Sequence, residues 1–383
     1  MNVIFTCGGT GGHIYPALAI ADIWKERHRD SQILFIGGRG NMEEQLVPKA
    51  GYELITLPAF GLERGKSFQD LKNNFRAIKS TLSGVRKCKK IIRDFKPDVI
   101  VGTGGYASFP ALMAGAKLGI PTCVHESNAM PGLTTRLLAK KVDKVLVCFP
   151  ESKKYYKCPE KVQVVGMPVK REFIYTKKED ARKELGIDER PLIVSAFGSQ
   201  GAKAMNQVMA EVFALEQAAG FPYRHIHAVG SFGWSWMPEY VREKGVDLGK
   251  SPAITMQEYI YNMPTVMAAA DIIISRAGAS SCNEIAASGT PCILIPSPNV
   301  TDNHQEKNAR ALADQGGAIL IKEEECTAEL LMQQISSLLA DKKRYQQMIK
   351  SLQSMVVVDC TEKLCDLMEE LGKGAANGNE REN

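Results

Sequence analysis

The chain has 383 residues, of which 44% are hydrophobic and 24% charged, and carries a formal charge of +5. This is the make-up of a soluble globular protein with room for two domains, and it excludes collagen-like and disordered classes. The small positive excess suits anionic ligands or a membrane surface; without zinc-finger spacing or an RNA-binding aromatic signature it argues against nucleic acid as a partner.

The ten cysteines form no C-x-x-C pair, and Cys7, Cys123, Cys148 and Cys292 sit inside apolar strands, so they read as reduced core residues of a cytoplasmic protein. Met1 leads directly into a strand and a glycine loop, so no signal peptide is expected. No apolar run approaches the roughly 18 residues needed to cross a bilayer, so any membrane contact is expected to be peripheral.

Short β-branched runs alternate with helical stretches along the whole chain, predicting an α/β protein with parallel sheets. Strands are expected at Val3–Phe5, Ile33–Ile36, Val99–Val101, Thr122–His125, Val145–Val147, Leu192–Ala196, His225–Val229, Ile272–Ile274 and Ile293–Ile295. After the first strand, Gly8-Gly9-Thr10-Gly11-Gly12-His13 leads to a helix opening at Pro16, where backbone amides would hold phosphate. A nicotinamide dinucleotide fits poorly, since the third glycine of G-x-G-x-x-G is absent and the second strand ends Ile36-Gly37-Gly38-Arg39 without an acidic residue. His13 has the right pKa range to take a proton from a hydroxyl. Its plainer role is to prop the loop.

From Lys66 to Arg93, Phe68, Leu71, Phe75, Ile78, Leu82 and Val85 recur at helical spacing among Lys72, Arg76, Lys79, Arg86, Lys87, Lys89, Lys90 and Arg93. Such a helix either dips into anionic lipid, with Lys140 and Lys141 extending its basic patch, or packs on the core with a solvated basic face. A second glycine loop, Gly102-Thr-Gly104-Gly105-Tyr106-Ala-Ser108, is a further phosphate loop or a bare tight turn. His125-Glu126-Ser127-Asn128 closes the next strand, where open sheets place ligand contacts.

The second half repeats the plan. Ile193-Val-Ser-Ala-Phe-Gly-Ser-Gln-Gly echoes the first strand and loop, and Asp271-to-Pro291 echoes Asp98-to-Pro121. The join is placed near Gly166-Met167-Pro168, with domains at 1–166 and 167–356 and a polar, disordered tail at 372–383. In Asp271-to-Pro291 a buried strand, a turn at Gly278 and a helix capped by Ser280 or Ser281 would aim free N–H groups at a pyrophosphate, and Glu284 would receive ribose hydroxyls. An ordinary βα unit is the plain alternative. Ser199 suits a leaving phosphate, Lys170 and Arg171 its charge, the backbone at Ile260 a base, and Gln305 a sugar hydroxyl. His225 and His227, alternating on a strand, read as structural. No D-x-D sequence and no histidine–cysteine cluster occurs, so neither a metal nor a cofactor is expected.

Taken together, GGTGGH at Gly8–His13, GGYAS at Gly104–Ser108, HESN at His125–Asn128, GSQGA at Gly198–Ala202 and RAGASSCNEIAASGTP at Arg276–Pro291 resemble the MurG family of peptidoglycan glycosyltransferases, from Met1 to about Leu371. The resemblance implies a GT-B fold of two doubly wound Rossmann-like domains facing across a cleft that closes during reaction. It also implies that a last helix, about 357–371, returns to the first domain. Its implied activity is inverting, metal-independent transfer of N-acetylglucosamine from UDP-N-acetylglucosamine to the muramyl 4-hydroxyl of a lipid-linked muramyl-pentapeptide, at the cytoplasmic face of the bacterial plasma membrane. Donor-binding positions carried over are Thr10, Gly11, Gly12, Asn128, Ser199, Ile260, Ala279, Ser280, Ser281, Cys282, Asn283, Glu284 and Gln305. Gly104, Gly105, Tyr106 and Ser108 fall on the acceptor side, with His13 as the favoured base and Glu126 as the second candidate. The chain departs from the family pattern at Met167 and Lys170, where Asn and Arg are usual, at Phe197 in place of a glycine, and at Tyr261 in place of an aspartate. The alternatives are a UDP-N-acetylglucosamine epimerase of the same fold, which needs no basic helix, and a glycosyltransferase with a different lipid acceptor, which needs no second phosphate loop.

Overall fold

The computed structural model describes residues 1–58, 68–300 and 303–379, with the side chains of 68–74, 76, 78 and 375–379 left aside. The chain divides into two compact units, Met1–Val169 with Asp359–Asn383, and Lys170–Val358. The change of unit thus falls at Val169–Lys170, three residues beyond the expected join.

Unit 1 is built on seven strands: β1 (Val3–Thr6), β2 (Ile33–Gly38), β3 (Glu53–Leu57), β4 (Val99–Gly102), β5 (Thr122–Glu126), β6 (Lys144–Val147) and β7 (Val162–Val164). They lie in the order β3-β2-β1-β4-β5-β6-β7, with every pairing parallel. Unit 2 has six: β8 (Leu192–Ala196), β9 (Arg224–Ala228), β10 (Ile254–Gln257), β11 (Ile272–Ser275), β12 (Cys292–Leu294) and β13 (Ile319–Leu320). Their order is β10-β9-β8-β11-β12-β13, again parallel throughout.

The strands expected from apolar runs are the central ones. Val3, Ile4, Phe5, Val99, Ile100 and Val101 are fully buried, as a strand covered by helices on both faces requires. The four strands missing from that expectation, β3, β7, β10 and β13, are the edges of the two sheets. In each sheet the chain runs outward from a central pair in both directions, so loops leaving β1 and β4, and those leaving β8 and β11, diverge at the carboxyl ends of adjacent strands. Ligands of open α/β sheets bind at such switch points. The internal echo of the sequence falls on these two pairs. Both helices that follow, Ser108–Leu118 and Ala279–Ser288, end on a left-handed glycine, Gly119 and Gly289.

Buried polar groups lock unit 2. The Asp271 carboxylate accepts the Leu192 N–H at 2.7 Å and pairs with Lys178 at 2.6 Å and Arg182 at 3.1 Å, fixing the start of β11 beside β8. Between the sheet and the Lys203–Ala218 helix, Glu216 meets His225 Nδ1 at 2.9 Å, and Ser195 Oγ lies 2.8 Å from His225 Nε2 and 2.7 Å from His227 Nδ1. Burial, then the neighbouring His225, pushes the His227 pKa down to about 3, so it stays neutral, in keeping with the structural reading of both histidines.

Unit 1 is closed by the last helix, Cys360–Asn379, which packs on the Gly11–Arg27 helix. Leu364, Cys365 and Met368 are fully buried, and Arg27–Asp366 (2.5 Å) and His28–Glu369 (3.1 Å) join the exposed sides. This helix continues through Asn379, past Gly372 where a disordered tail was expected; residues 380–383 lie outside the described residues. Its apolar stripe, rather than its ion pairs, supplies most of the docking energy, because exposed pairs are worth little. Met368→Ala is therefore expected to destabilise unit 1 by about 2–5 kcal/mol in urea denaturation, whereas Asp366→Ala changes stability by less than about 1 kcal/mol.

Candidate active site

At the β1–β4 switch point the helix starts at Gly11, five residues before its expected start, and Pro16 falls in its second turn. Gly11, Gly12 and His13 therefore form the first turn, with Thr10 as the extended cap residue. His13 Nδ1 is 3.0 Å from the Gly8 carbonyl and 3.4 Å from Thr10 Oγ1. A carbonyl only accepts, so Nδ1 carries the proton and Nε2 presents the lone pair.

The second glycine loop is shaped around this histidine. A Cβ on Gly104 would stand 2.7 Å from His13 Cδ2, and one on Gly105 would collide with the Gly8 carbonyl oxygen. Both glycines have positive φ, +105° and +78°. Thr103 Oγ1 donates to the His13 carbonyl at 2.5 Å. Ser108 is fully buried, and its single O–H lies within hydrogen-bonding distance of both the Gly104 and Thr6 carbonyls (2.5 and 3.0 Å), so its hydroxyl braces the loop from inside. Tyr106 is 39% exposed and lies alongside Gly9.

The carboxylate of Glu126 is occupied. One oxygen accepts the Asn128 backbone and side-chain N–H groups, both at 3.0 Å, and the other accepts the Gly132 N–H at 2.9 Å, which closes the loop after β5. That arrangement suits an architectural carboxylate. His125 is buried, donates from Nε2 to the Gly166 carbonyl at 2.9 Å and has its pKa lowered, chiefly by burial. The fully buried Glu43, which no sequence signal singled out, reaches the same loop: its carboxylate accepts the Gly9 N–H at 3.2 Å and the Gly38 N–H at 2.7 Å. Its only trace in the sequence was an acidic residue opening a short helix.

At the β8–β11 switch point the Ala279–Ser288 helix opens at Gly278, in extended conformation and without a side-chain cap. This corrects the expected Ser280 or Ser281 cap: both serines lie in the first turn, because the chain enters through Gly278 one residue before the helix. The Ala279, Ser280 and Ser281 amides precede the first helical bond, Cys282 N–H to the Gly278 carbonyl at 2.9 Å. Ser280 Oγ is enclosed with no hydrogen-bond partner among the described residues. Cys282 is fully buried, its thiol pushed up to about 12 by burial and by Glu284, and faces the core. Asn283 donates to the Ala279 carbonyl at 2.8 Å.

Glu284 is half-buried one turn further on, its carboxyl pushed up to about 7 by burial and held back by the positive charge of Lys170. Exposed Lys170 precedes the Arg171–Tyr175 helix, which packs on the Ala279–Ser288 helix and so brings the Lys170 charge within reach of Glu284. Arg171 is exposed on the first turn of that short helix.

Ser199 is exposed in the loop after β8, where Gly201 packs backbone to backbone on Gly230. Ser231 N–H donates to the Ser199 carbonyl at 3.1 Å, joining the loops after β8 and β9. Ile260 is buried as a whole residue, and Tyr261 beside it is 82% exposed. Gln305 Oε1 accepts the Ser297 N–H at 2.9 Å, so this side chain shapes the loop after β12. Phe197, where a glycine is usual, lies under the Arg276 guanidinium at 6.0 Å; Arg276 also binds the Ile295 carbonyl and Glu323.

Two doubly wound parallel-sheet units, each with a glycine loop and a helix start at its switch point, make a GT-B-class fold, and the family matches make the chain a glycosyltransferase of that class. Residues 3–147 match the model of the glycosyltransferase family 28 N-terminal domain, and residues 192–364 that of the family 28 C-terminal domain. The chain is 40% identical over 379 residues to the UDP-N-acetylglucosamine–N-acetylmuramyl-(pentapeptide) pyrophosphoryl-undecaprenol N-acetylglucosamine transferase of Acetivibrio thermocellus, covering 99% of this chain and 100% of that one. Its fold matches the crystal structure of Acinetobacter baumannii MurG with a TM-score of 0.73 and 25% identity, over 96% and 99% of the two chains. A UDP-GlcNAc 2-epimerase from Neisseria meningitidis shares the fold alone, with a TM-score of 0.65 at 15% identity over 97% of this chain and 100% of that one. The chain belongs to the MurG family of N-acetylglucosamine transferases.

The raised pKa of Glu284 has a stability consequence. A carboxyl whose folded pKa lies above its unfolded value contributes stability that is fully present below about pH 4.5 and lost as pH rises through about 7. Glu284→Gln is expected to raise the melting temperature at pH 8 and leave it nearly unchanged at pH 4.5, as measured by calorimetry at both values.

Proposed function

We propose that this protein transfers N-acetylglucosamine from UDP-N-acetylglucosamine to the 4-hydroxyl of a lipid-linked muramyl-pentapeptide, by direct displacement with inversion and without a metal. The observation that carries the mechanism is the His13 geometry: the Gly8 carbonyl at 3.0 Å holds the proton on Nδ1, so the basic lone pair of the neutral ring is on Nε2. Unit 1 supplies this base, with the Gly104–Tyr106 loop on the acceptor side. Unit 2 holds the donor, with uracil at the Ile260 backbone and ribose at Glu284.

Negative charge grows on the departing diphosphate. The uncapped amides of Ala279, Ser280 and Ser281, together with Ser199 and Lys170, are the groups that stabilise it, and this interaction strengthens in the transition state. Lys170 does double service, since it also favours the ionised form of Glu284 that ribose hydroxyls require. Asn128, Gln305 and Asn283 serve the sugar.

His13→Ala is expected to lower kcat by about a hundred- to ten-thousand-fold with little change in donor KM. Glu284→Ala is expected chiefly to raise donor KM. Radiolabelled transfer from UDP-N-acetylglucosamine to a short-chain lipid-linked muramyl acceptor, in EDTA, measures both. Wild-type turnover in the His13 variant removes histidine from the base role, and loss of transfer in EDTA with recovery on added metal removes the metal-free mechanism. Epimer formation from donor alone would favour an epimerase.

We further propose that unit 1 docks on the cytoplasmic face of the membrane through anionic lipid. Among the described residues no helix is long and apolar enough to cross a bilayer. The Phe68–Phe95 helix does two things at once: Ala77, Val85, Cys88 and Ile92 are buried, while Phe75 and Leu82, two turns apart, are 72% and 61% exposed. Lys79, Arg86, Lys87, Lys90 and Arg93 are exposed around them, and Leu133 and Leu137 stand out on the Leu133–Leu138 helix. Exposed apolar side chains within a basic field suit an interfacial helix. Lys66 and Ser67 lie outside the described residues, as do the side chains of Phe68, Leu71, Lys72, Arg76 and Ile78. Flotation with phosphatidylglycerol vesicles at low salt is expected to carry the wild type, and Phe75→Ser with Leu82→Ser to weaken binding at least tenfold. Equal flotation of both proteins would overturn the docking face.

A further inference from the structure

Glu43 has no place in the chemistry described so far, yet it is a fully buried carboxylate aimed at the catalytic loop. It opens the Glu43–Lys49 helix, where the helix dipole favours an acidic side chain. Oε1 accepts the Gly38 N–H at 2.7 Å, and Oε2 accepts the Gly9 N–H at 3.2 Å. Two glycines make room for it: a Cβ on Gly8 would lie 2.6 Å from Oε1, and one on Gly37 2.7 Å from Cγ.

The decisive detail is covalent. The Gly9 N–H and the Gly8 carbonyl belong to one planar peptide group, with its donor and acceptor on opposite edges. Glu43 takes the hydrogen on one edge, and His13 Nδ1–H donates to the oxygen on the other at 3.0 Å. We propose that Glu43 is a positioning residue for His13, acting through the Gly8–Gly9 peptide as a carboxylate–peptide–imidazole relay. This inference rests on the reading of His13 as the base.

The relay has two effects. Geometrically, it holds the peptide plane so that the imidazole keeps the proton on Nδ1 and the lone pair on Nε2. Electrostatically, a negative acceptor on the N–H edge polarises the peptide and makes its carbonyl a stronger acceptor, which stabilises the imidazolium formed as the acceptor hydroxyl loses its proton. The logic is that of the aspartate behind a catalytic histidine, with a peptide plane inserted, so a smaller effect is expected than for direct contact. The other titratable groups around the pair are the Cys7 thiol, pushed up by burial and by Glu43, Tyr106 beside Gly9, and His125.

The test combines side-chain nitrogen NMR of His13 with kinetics of the full-length wild type, Glu43→Gln, His13→Ala and the double variant. In the wild type the neutral His13 is expected as the Nδ1–H tautomer; the Nε2–H tautomer overturns the relay without any variant having to fold. In Glu43→Gln the imidazole pKa and the acid limb of the kcat profile should move together to lower pH, with kcat down about ten- to a hundredfold and donor KM unchanged. Glu43→Gln should cost nothing further in the His13→Ala background. A Glu43→Gln protein with a lower melting temperature but an unshifted His13 pKa, or an equal loss in both backgrounds, overturns the proposal. Wild-type turnover in His13→Ala sinks the base assignment instead, and the NMR readout reports on the relay separately.

Discussion

Backbone approaching backbone without an intervening side chain is the constraint on which both units depend. In unit 1 the loops leaving β1 and β4 meet so closely that a Cβ on Gly105 would enter the Gly8 carbonyl; in unit 2 Gly201 and Gly230 are pressed together in the same way. Adjacent parallel strands are under 5 Å apart, so two loops that leave neighbouring strand ends begin in contact. Only glycine allows them to stay there. The space this leaves is filled in unit 1 by the His13 ring.

The carboxylates divide by how they are satisfied. Glu43 and Glu126 each accept backbone N–H groups on both oxygens, and each holds a loop. Glu284 is different: its carboxyl is pushed up to about 7 by burial, and a lysine partly offsets the cost of its charge. Ser280 Oγ, enclosed and without a partner among the described residues, stands one turn away in the same helix.

The departures from the family pattern are absorbed locally. Phe197 would crowd a loop that elsewhere carries glycine, but here its ring lies under Arg276, whose charge is held by Glu323 and the Ile295 carbonyl. The positive charge of Lys170, where arginine is usual, still favours the ionised form of Glu284. Tyr261 projects into solvent beside Tyr259, their rings 5.0 Å apart edge to face.

The sequence alone determined the α/β class, the central strands, the two halves and the glycine loops. Continuous apolar β-branched runs are the mark of strands buried on both faces, and positive-φ turns admit little but glycine. It could not yield the edge strands, whose half-exposed residues lack that mark, nor the helix start at Gly11, which ran through a proline. Only the tertiary structure decided what each polar side chain does. Ser108 and Glu43 are chemically able to serve a ligand, and the fold turns each toward a backbone group distant in the chain, the Thr6 carbonyl and the Gly9 N–H. Hydrogen bonds join atoms by position in space, and no spacing along the sequence encodes the partner at the other end.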